Sequence, residues 1–293
     1  MYPEIFIGRL NPFSLGQLNE TIISSLRSYF QRNHEYRTKN ESFPRSNNSL
    51  LFIDDDWEQW SDDWKGDLEI LFSNISLVNN SICETNATNY ESYISQNYDF
   101  AHVFIHSDWF KHYFKVNGSF NPSHELDALL INLMDDKVLF YNLYCCYACG
   151  INETDNLGTL YLFNSNYTLG LFGSTRTGGF LLNSYLYNPL KNGSTLGEAF
   201  REWWFNDIYE PILNHDPNDM NMRGNVLLGD PTLKLRDLIP NENKNDTRPD
   251  DKEETPIDDP RSLLKSPYVI VSVGGIVGVL ITLIIWKKKK SQT

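Results

Sequence analysis

Two apolar runs constrain this chain most. Ala101–Ile105 stops on His106, and Val138–Tyr144 stops on Cys145 and Cys146. Between them Leu126, Leu129, Leu130 and Leu133 recur at i, i+3, i+4 and i+7, which predicts an amphipathic helix with Asn121 as N-cap and Pro122 in its first turn. Strand, helix and strand make a crossover unit, and such units set both strands parallel in one sheet with their carboxyl ends at the same edge. Side chains just beyond those ends share one crevice, so an imidazole and a thiol are expected to meet there.

The same alternation runs along residues 1–238. Further strands are predicted at Glu4–Leu10, Ser49–Asp54, Ile75–Val78 and Leu169–Gly173. Thr195 and Glu198 form a capping box that opens a helix carrying Ala199, Phe200, Trp203 and Trp204, whose aromatic rings are expected to pack on the sheet. Short strands alternating with helices define an α/β fold around a largely parallel sheet. At 41% hydrophobic and 14% aromatic residues, the chain has the side chains to fill a sizeable core. Its net charge of −13 argues against nucleic acid, which needs clustered Lys and Arg.

Past that domain the composition changes twice. Residues 239–265 are acidic and carry Pro240, Pro249, Pro256 and Pro260, the composition of a stalk that cannot bury a core. Residues 266–286 then read as a transmembrane helix, uncharged from Tyr268 to Trp286, and residues 287–293 open with four lysines. Lysine-rich flanks stay on the cytoplasmic side, so a single-pass cell-membrane protein with its large domain outside is expected. Gly274 and Gly278 form a weak small-xxx-small helix-pairing pattern. Sequons headed by Asn19, Asn40, Asn47, Asn74, Asn79, Asn86, Asn117, Asn152, Asn166, Asn192 and Asn245 all precede the membrane segment, as a glycosylated ectodomain requires. No export signal precedes Tyr2, so a missing N-terminal region or another export route is expected.

The chemistry concentrates in the cysteines. Of Cys83, Cys145, Cys146 and Cys149, three lie within five residues, and adjacent Cys145 and Cys146 point to opposite faces of a strand. One of the two therefore faces the crevice, and alternation alone leaves open which. A metal site on Cys146-x-x-Cys149 lacks a second ligand pair, so neither a metal nor a cofactor is expected. A neighbouring His can take the thiol proton, and backbone N–H groups beside the two residues can hold an oxyanion. The bland reading makes the cysteine a small buried apolar residue and His106 a satisfied polar one. Asp54, Asp55 and Asp56, just beyond a predicted strand, form a possible substrate pocket for Arg or Lys, or else a solvated loop or cation site. Asp230 in Asp-Pro-Thr reads as a turn or capping residue, and His112 as a fallback base.

Six stretches, in order, carry a resemblance over most of residues 2–236. They are Tyr2-Pro-Glu-Ile-Phe-Ile-Gly-Arg-Leu10, Val103-Phe-Ile-His-Ser107, Tyr141-Asn-Leu-Tyr-Cys-Cys-Tyr-Ala-Cys-Gly150, Leu169-Gly-Leu-Phe-Gly-Ser-Thr-Arg-Thr-Gly178, Leu196-Gly-Glu-Ala-Phe-Arg201 and Leu228-Gly-Asp-Pro-Thr-Leu233. Together they resemble the catalytic domain of gingipain-type cysteine peptidases. The resemblance implies a caspase-like three-layer α/β fold, His106 as base, Cys146 as nucleophile with Cys145 as runner-up, and the backbone N–H groups of Ser107 and Cys146 as oxyanion donors. Two departures stand out: Ser107 replaces the usual Gly after the His, and the caspase sequence Gln-Ala-Cys-Arg-Gly is absent. The expected function is a membrane-anchored extracellular cysteine endopeptidase acting on peptides or proteins. The second reading is a catalytically inactive cell-surface binding protein; the sequence leaves the oligomeric state unknown.

Overall fold

A computed structural model describes residues 5–16, 19–38, 46–180, 183–209 and 224–235. The expected stalk, membrane segment and basic tail lie outside the described residues. Among the described residues, no helix is long and apolar enough to cross a membrane.

In chain order the strands are β1 (Asn48–Ile53), β2 (Asn74–Val78), β3 (Tyr98–Phe104), β4 (His106–Ser107), β5 (Lys111–Val116), β6 (Ser119–Asp127), β7 (Val138–Tyr144), β8 (Gly170–Ser174) and β9 (Asn225–Gly229). The helices are α1 (Asn19–Arg37), α2 (Ser61–Glu69), α3 (Ala87–Ile94), α4 (Ala128–Leu133), α5 (Leu157–Asn164), α6 (Ser184–Lys191) and α7 (Leu196–Trp203). The main sheet has six strands in the order β2-β1-β3-β7-β8-β9, parallel except where β9 runs against β8.

Period-two alternation divides each central strand between two cores. Leu50 and Phe52 of β1 join Val103, Tyr141 and Leu143 beneath Tyr90, Ile94 and Leu160 on one face. Leu51 and Ile53 join Phe100, Phe104 and Phe140 beneath Leu68, Leu186 and Trp203 on the other. Burial on both faces is what a continuous apolar strand in a parallel sheet requires, and each large side chain so buried contributes roughly 1.5–3 kcal/mol. The result is a three-layer α/β arrangement with a largely parallel sheet.

The capping box is present: the Glu198 N–H donates to the Thr195 hydroxyl, and the Glu198 carboxylate accepts from the Thr195 N–H. Trp203 is fully buried against Phe180, so this helix packs as expected. Asp230 accepts from the Thr232 N–H two residues on, the Asx turn its sequence implied.

Two expected elements differ. Among the described residues, the run predicted as a strand at Glu4–Leu10 pairs through Arg9 alone, whose N–H donates to Leu227 and whose carbonyl accepts from Gly229. At Gly8 the chain passes so close that a Cβ would lie 2.2 Å from the Gly229 carbonyl oxygen. Nor does a helix start at Asn121: Asn121 and Pro122 lie in β6, the second arm of a hairpin turned at Asn117 (φ 52°) and Gly118 (φ 74°). Two positive φ values in an Asn-Gly pair are the signature of a tight hairpin turn, and that local signal outweighs the leucine spacing. The helix is only α4, capped by Asp127, and it leaves Leu129 and Leu133 exposed while Leu126 is buried in the strand. The β3–β7 crossover thus carries a three-stranded antiparallel sheet, β4-β5-β6, ahead of a short helix.

Candidate active site

Strand order decides which loops meet. β1, β3, β7 and β8 are successive neighbours, so the segments leaving their carboxyl ends line one edge. Those segments carry Asp54–Asp56, His106, Cys146 and Thr175–Gly178 respectively. Phe104 pairs in register with Tyr144, which sets His106 and Cys146 each two residues beyond the same rung.

The Ser107 hydroxyl donates to the Cys146 carbonyl at 2.6 Å, joining the two strand ends directly. In the ladder with β5, the Asp108 N–H donates to the Lys111 carbonyl. Antiparallel pairs alternate between bonded and non-bonded, so the Ser107–His112 pair is a non-bonded one and the Ser107 N–H points away from β5. The Cys146 N–H has no hydrogen-bond partner among the described residues. Two backbone donors thus stay uncommitted at neighbouring strand ends.

The three cysteines of the cluster have separate surroundings. Cys145 is fully buried, its thiol directed at the Val103 carbonyl at 3.8 Å, and burial pushes that thiol far above its ordinary range. Cys149 is buried too and pushed up to about 12 by the same cause. Its sulfur occupies the gap between Gly158 and Gly173, at each of which a Cβ would come within 2.6 Å of it. Cys146 is half-buried, and its sulfur accepts from the Gly178 N–H at 3.3 Å. Of the three, Cys146 alone is accessible. The next residue, Tyr147, takes a left-handed φ of 57°, and its N–H turns to the Arg176 carbonyl at 2.7 Å.

His106 is held on three sides. Its Nε2 meets an Asp56 carboxylate oxygen at 2.7 Å, the Trp57 ring lies 4.3 Å away centroid to centroid, and Phe120 approaches edge-on at 5.2 Å. A neutral imidazole donating from Nε2 carries its lone pair on Nδ1, which has no hydrogen-bond partner among the described residues. Among the described residues no hydrogen bond joins the His106 ring to the Cys146 sulfur. The sequence also offered His112, but burial pushes it down to about 3 and its Nε2 is taken by the Tyr161 hydroxyl at 3.0 Å. It is sealed from solvent.

The three aspartates do not form one wall. Asp54 is fully buried, accepting from the Thr85 hydroxyl at 2.8 Å and the Lys115 N–H at 2.9 Å; burial first, then the adjacent Asp55 charge, raise it to about 7 against those hydrogen bonds. Asp55 accepts from the Gly118 N–H at 2.9 Å. Asp56 takes both His106 and the Lys115 ammonium, at 2.7 and 2.6 Å. Burial acts to raise Asp56, but the Lys115 and His106 hydrogen bonds and charges outweigh it and hold the carboxyl below its usual range. Consecutive carboxylates therefore clamp the β5–β6 hairpin, and the third orients the imidazole. Sequence reasoning grouped them as a pocket; the signal it lacked was that β1 sits beside β3, which brings Asp56 to His106.

No protein-family model matches the chain, and no curated protein matches it in sequence. Its fold is similar to that of several solved structures, two of which follow. One is the Arg-specific cysteine proteinase gingipain R (RgpB), at a TM-score of 0.55 and 12% identity over 80% of this chain and 56% of that one. The other is a complex of Porphyromonas gingivalis RgpB pro- and mature domains, at 0.55 and 12% over 80% and 57%. The chain spans little more than half the length of these structures. At this identity the likeness establishes a distant relationship of fold.

Proposed function

We propose that the chain is a membrane-anchored extracellular cysteine endopeptidase with Cys146 as nucleophile and His106 as base. The observation that carries this reading is the pairing of an accessible thiol with a carboxylate-oriented imidazole just past adjoining strands. The reaction follows from the atoms. His106 Nδ1 takes the Cys146 proton, the thiolate sulfur bonds to the peptide carbonyl carbon, and the Ser107 and Cys146 N–H groups receive the oxyanion. His106 then returns the proton to the departing amine as the C–N bond breaks. Water, deprotonated by the same nitrogen, hydrolyses the thioester and restores the thiol.

The proteinase fold of the matched structures supports this reaction class. The Asp56–His106 bond supports it over an inactive binding protein, because a solvated surface His needs no carboxylate and aromatic ring to fix its orientation. Extracellular placement rests on the uncharged run to Trp286, its lysine flank and the sequons. To test the reading, full-length chain in detergent micelles is incubated with a mixed peptide library and the products sequenced by mass spectrometry. Cleavage by wild type and none by Cys146→Ala is expected. Equal product from both, or none from wild type, overturns it.

A further inference from the structure

The acidic triplet already has partners within the fold: the Asp54 and Asp56 carboxylates accept from neighbouring groups and Asp55 holds the hairpin tip. The segment that runs beside the thiol carries a residue of the opposite sign. The segment leaving β8 runs along Cys146 and Tyr147: the Gly178 N–H donates to the Cys146 sulfur, and the Arg176 carbonyl accepts from the Tyr147 N–H. Arg176 between them is exposed, and its guanidinium makes no ion pair or hydrogen bond with any described residue. Its stem lies against Gly224, where an added Cβ would come within 2.9 Å of the Arg176 Cβ and 3.0 Å of its Cγ. Glycine there leaves the arginine its place on the rim.

Strand order puts Arg176 on the side of Cys146 away from the base. His106 leaves β3 on one flank of β7, and Arg176 leaves β8 on the other. A substrate residue whose carbonyl lies over Cys146 therefore has His106 at one flank and Arg176 at the other. In a chain of net charge −13, an arginine with no carboxylate partner among the described residues suits one brought by a ligand.

We infer that Arg176 is a specificity-determining residue that pairs with an Asp or Glu side chain on the acyl side of the scissile bond. This rests on the peptidase reading of Cys146. A planar guanidinium meets a carboxylate through two parallel hydrogen bonds, and such a charge-assisted contact is worth about 10- to 100-fold in reactivity towards matched over neutral substrates.

The test uses full-length chain in micelles and thiol-reactive peptidyl ketones differing only in that residue: Asp, Glu, Ala, Lys and Arg. Second-order labelling rates at Cys146 are read as ratios to the Ala probe, so partial misfolding of a variant cancels. Acidic probes are expected to react fastest in wild type, to lose their lead in Arg176→Ala and to keep most of it in Arg176→Lys. Arg176→Glu should move the preference to Lys and Arg. Fastest labelling by the Lys or Arg probe in wild type, or an acidic preference unchanged in Arg176→Ala, overturns the role of Arg176 and leaves the peptidase standing. No labelling of Cys146 by any probe removes both.

Discussion

The Ser107 hydroxyl and the Cys146 carbonyl, 2.6 Å apart, tie the residue after the proposed base to the proposed nucleophile. Glycine in that position would present the same backbone N–H without the tie. Ser107→Gly is expected to slow thiol labelling about 10-fold while Ser107→Thr stays close to wild type, the loss of a single hydrogen bond. Equal rates in all three would mean the tie does nothing for the site.

In the proposed mechanism Asp56 is a positioning residue that fixes which imidazole nitrogen carries the proton. Asp56→Asn is expected to reduce labelling by roughly 10²- to 10⁴-fold, the range over which a base in the wrong tautomer suffers. Because Asp56 is 37% exposed, the urea midpoint should barely move. Lys115→Met, which removes the ion pair but leaves the Asp56–His106 bond, serves as the control and should label nearly normally. A large drop in stability with a proportionate drop in rate would assign Asp56 a purely structural role.

Stability should be almost flat with pH from about 4 to 6.5, through cancellation. Burial raises Asp54 and Asp136 to about 7, so in this window the folded chain keeps two protons that the unfolded chain has lost, and these groups make stability fall as pH rises. Burial lowers His102 and His112 to about 3, so the unfolded chain binds two protons that the folded one refuses, and stability rises with pH. Asp54→Asn leaves an upward slope of about 1.4 kcal/mol per pH unit, and His112→Gln a downward slope of the same order. Urea midpoints at three pH values within the window check both signs.

Cys149 fills the gap between Gly158 and Gly173 and offers no chemistry. Cys149→Ser places a hydroxyl in that apolar gap and should cost about 1–3 kcal/mol, while each folded molecule still labels at Cys146. Calorimetry and labelling stoichiometry on the same sample separate the two effects.

How far the sequence could be read depended on whether a signal was local. β1, β3, β7 and β8 lie where apolar runs put them, within a few residues at each end, and the Thr195–Glu198 box is visible as written. The β5–β6 hairpin was announced by Asn117-Gly118 but hidden under the leucine spacing, which the fold spends partly on the strand residue Leu126 and partly on exposed Leu129 and Leu133. Asp56 beside His106, and Arg176 beside Tyr147, follow from the order of strands in the sheet. A chain carries no local mark of that order, so a triplet of aspartates reads the same whether it binds substrate or clamps a hairpin.

The central claim is that Cys146, and not its neighbour, is the nucleophile. Full-length protein is reacted with a peptidyl ketone, digested, and the adduct located by tandem mass spectrometry in wild type, Cys145→Ala, Cys146→Ala and His106→Ala. The adduct is expected on Cys146 in wild type and Cys145→Ala, absent from Cys146→Ala, and formed far more slowly in His106→Ala. An adduct on Cys145, or labelling that proceeds equally without His106, contradicts the claim.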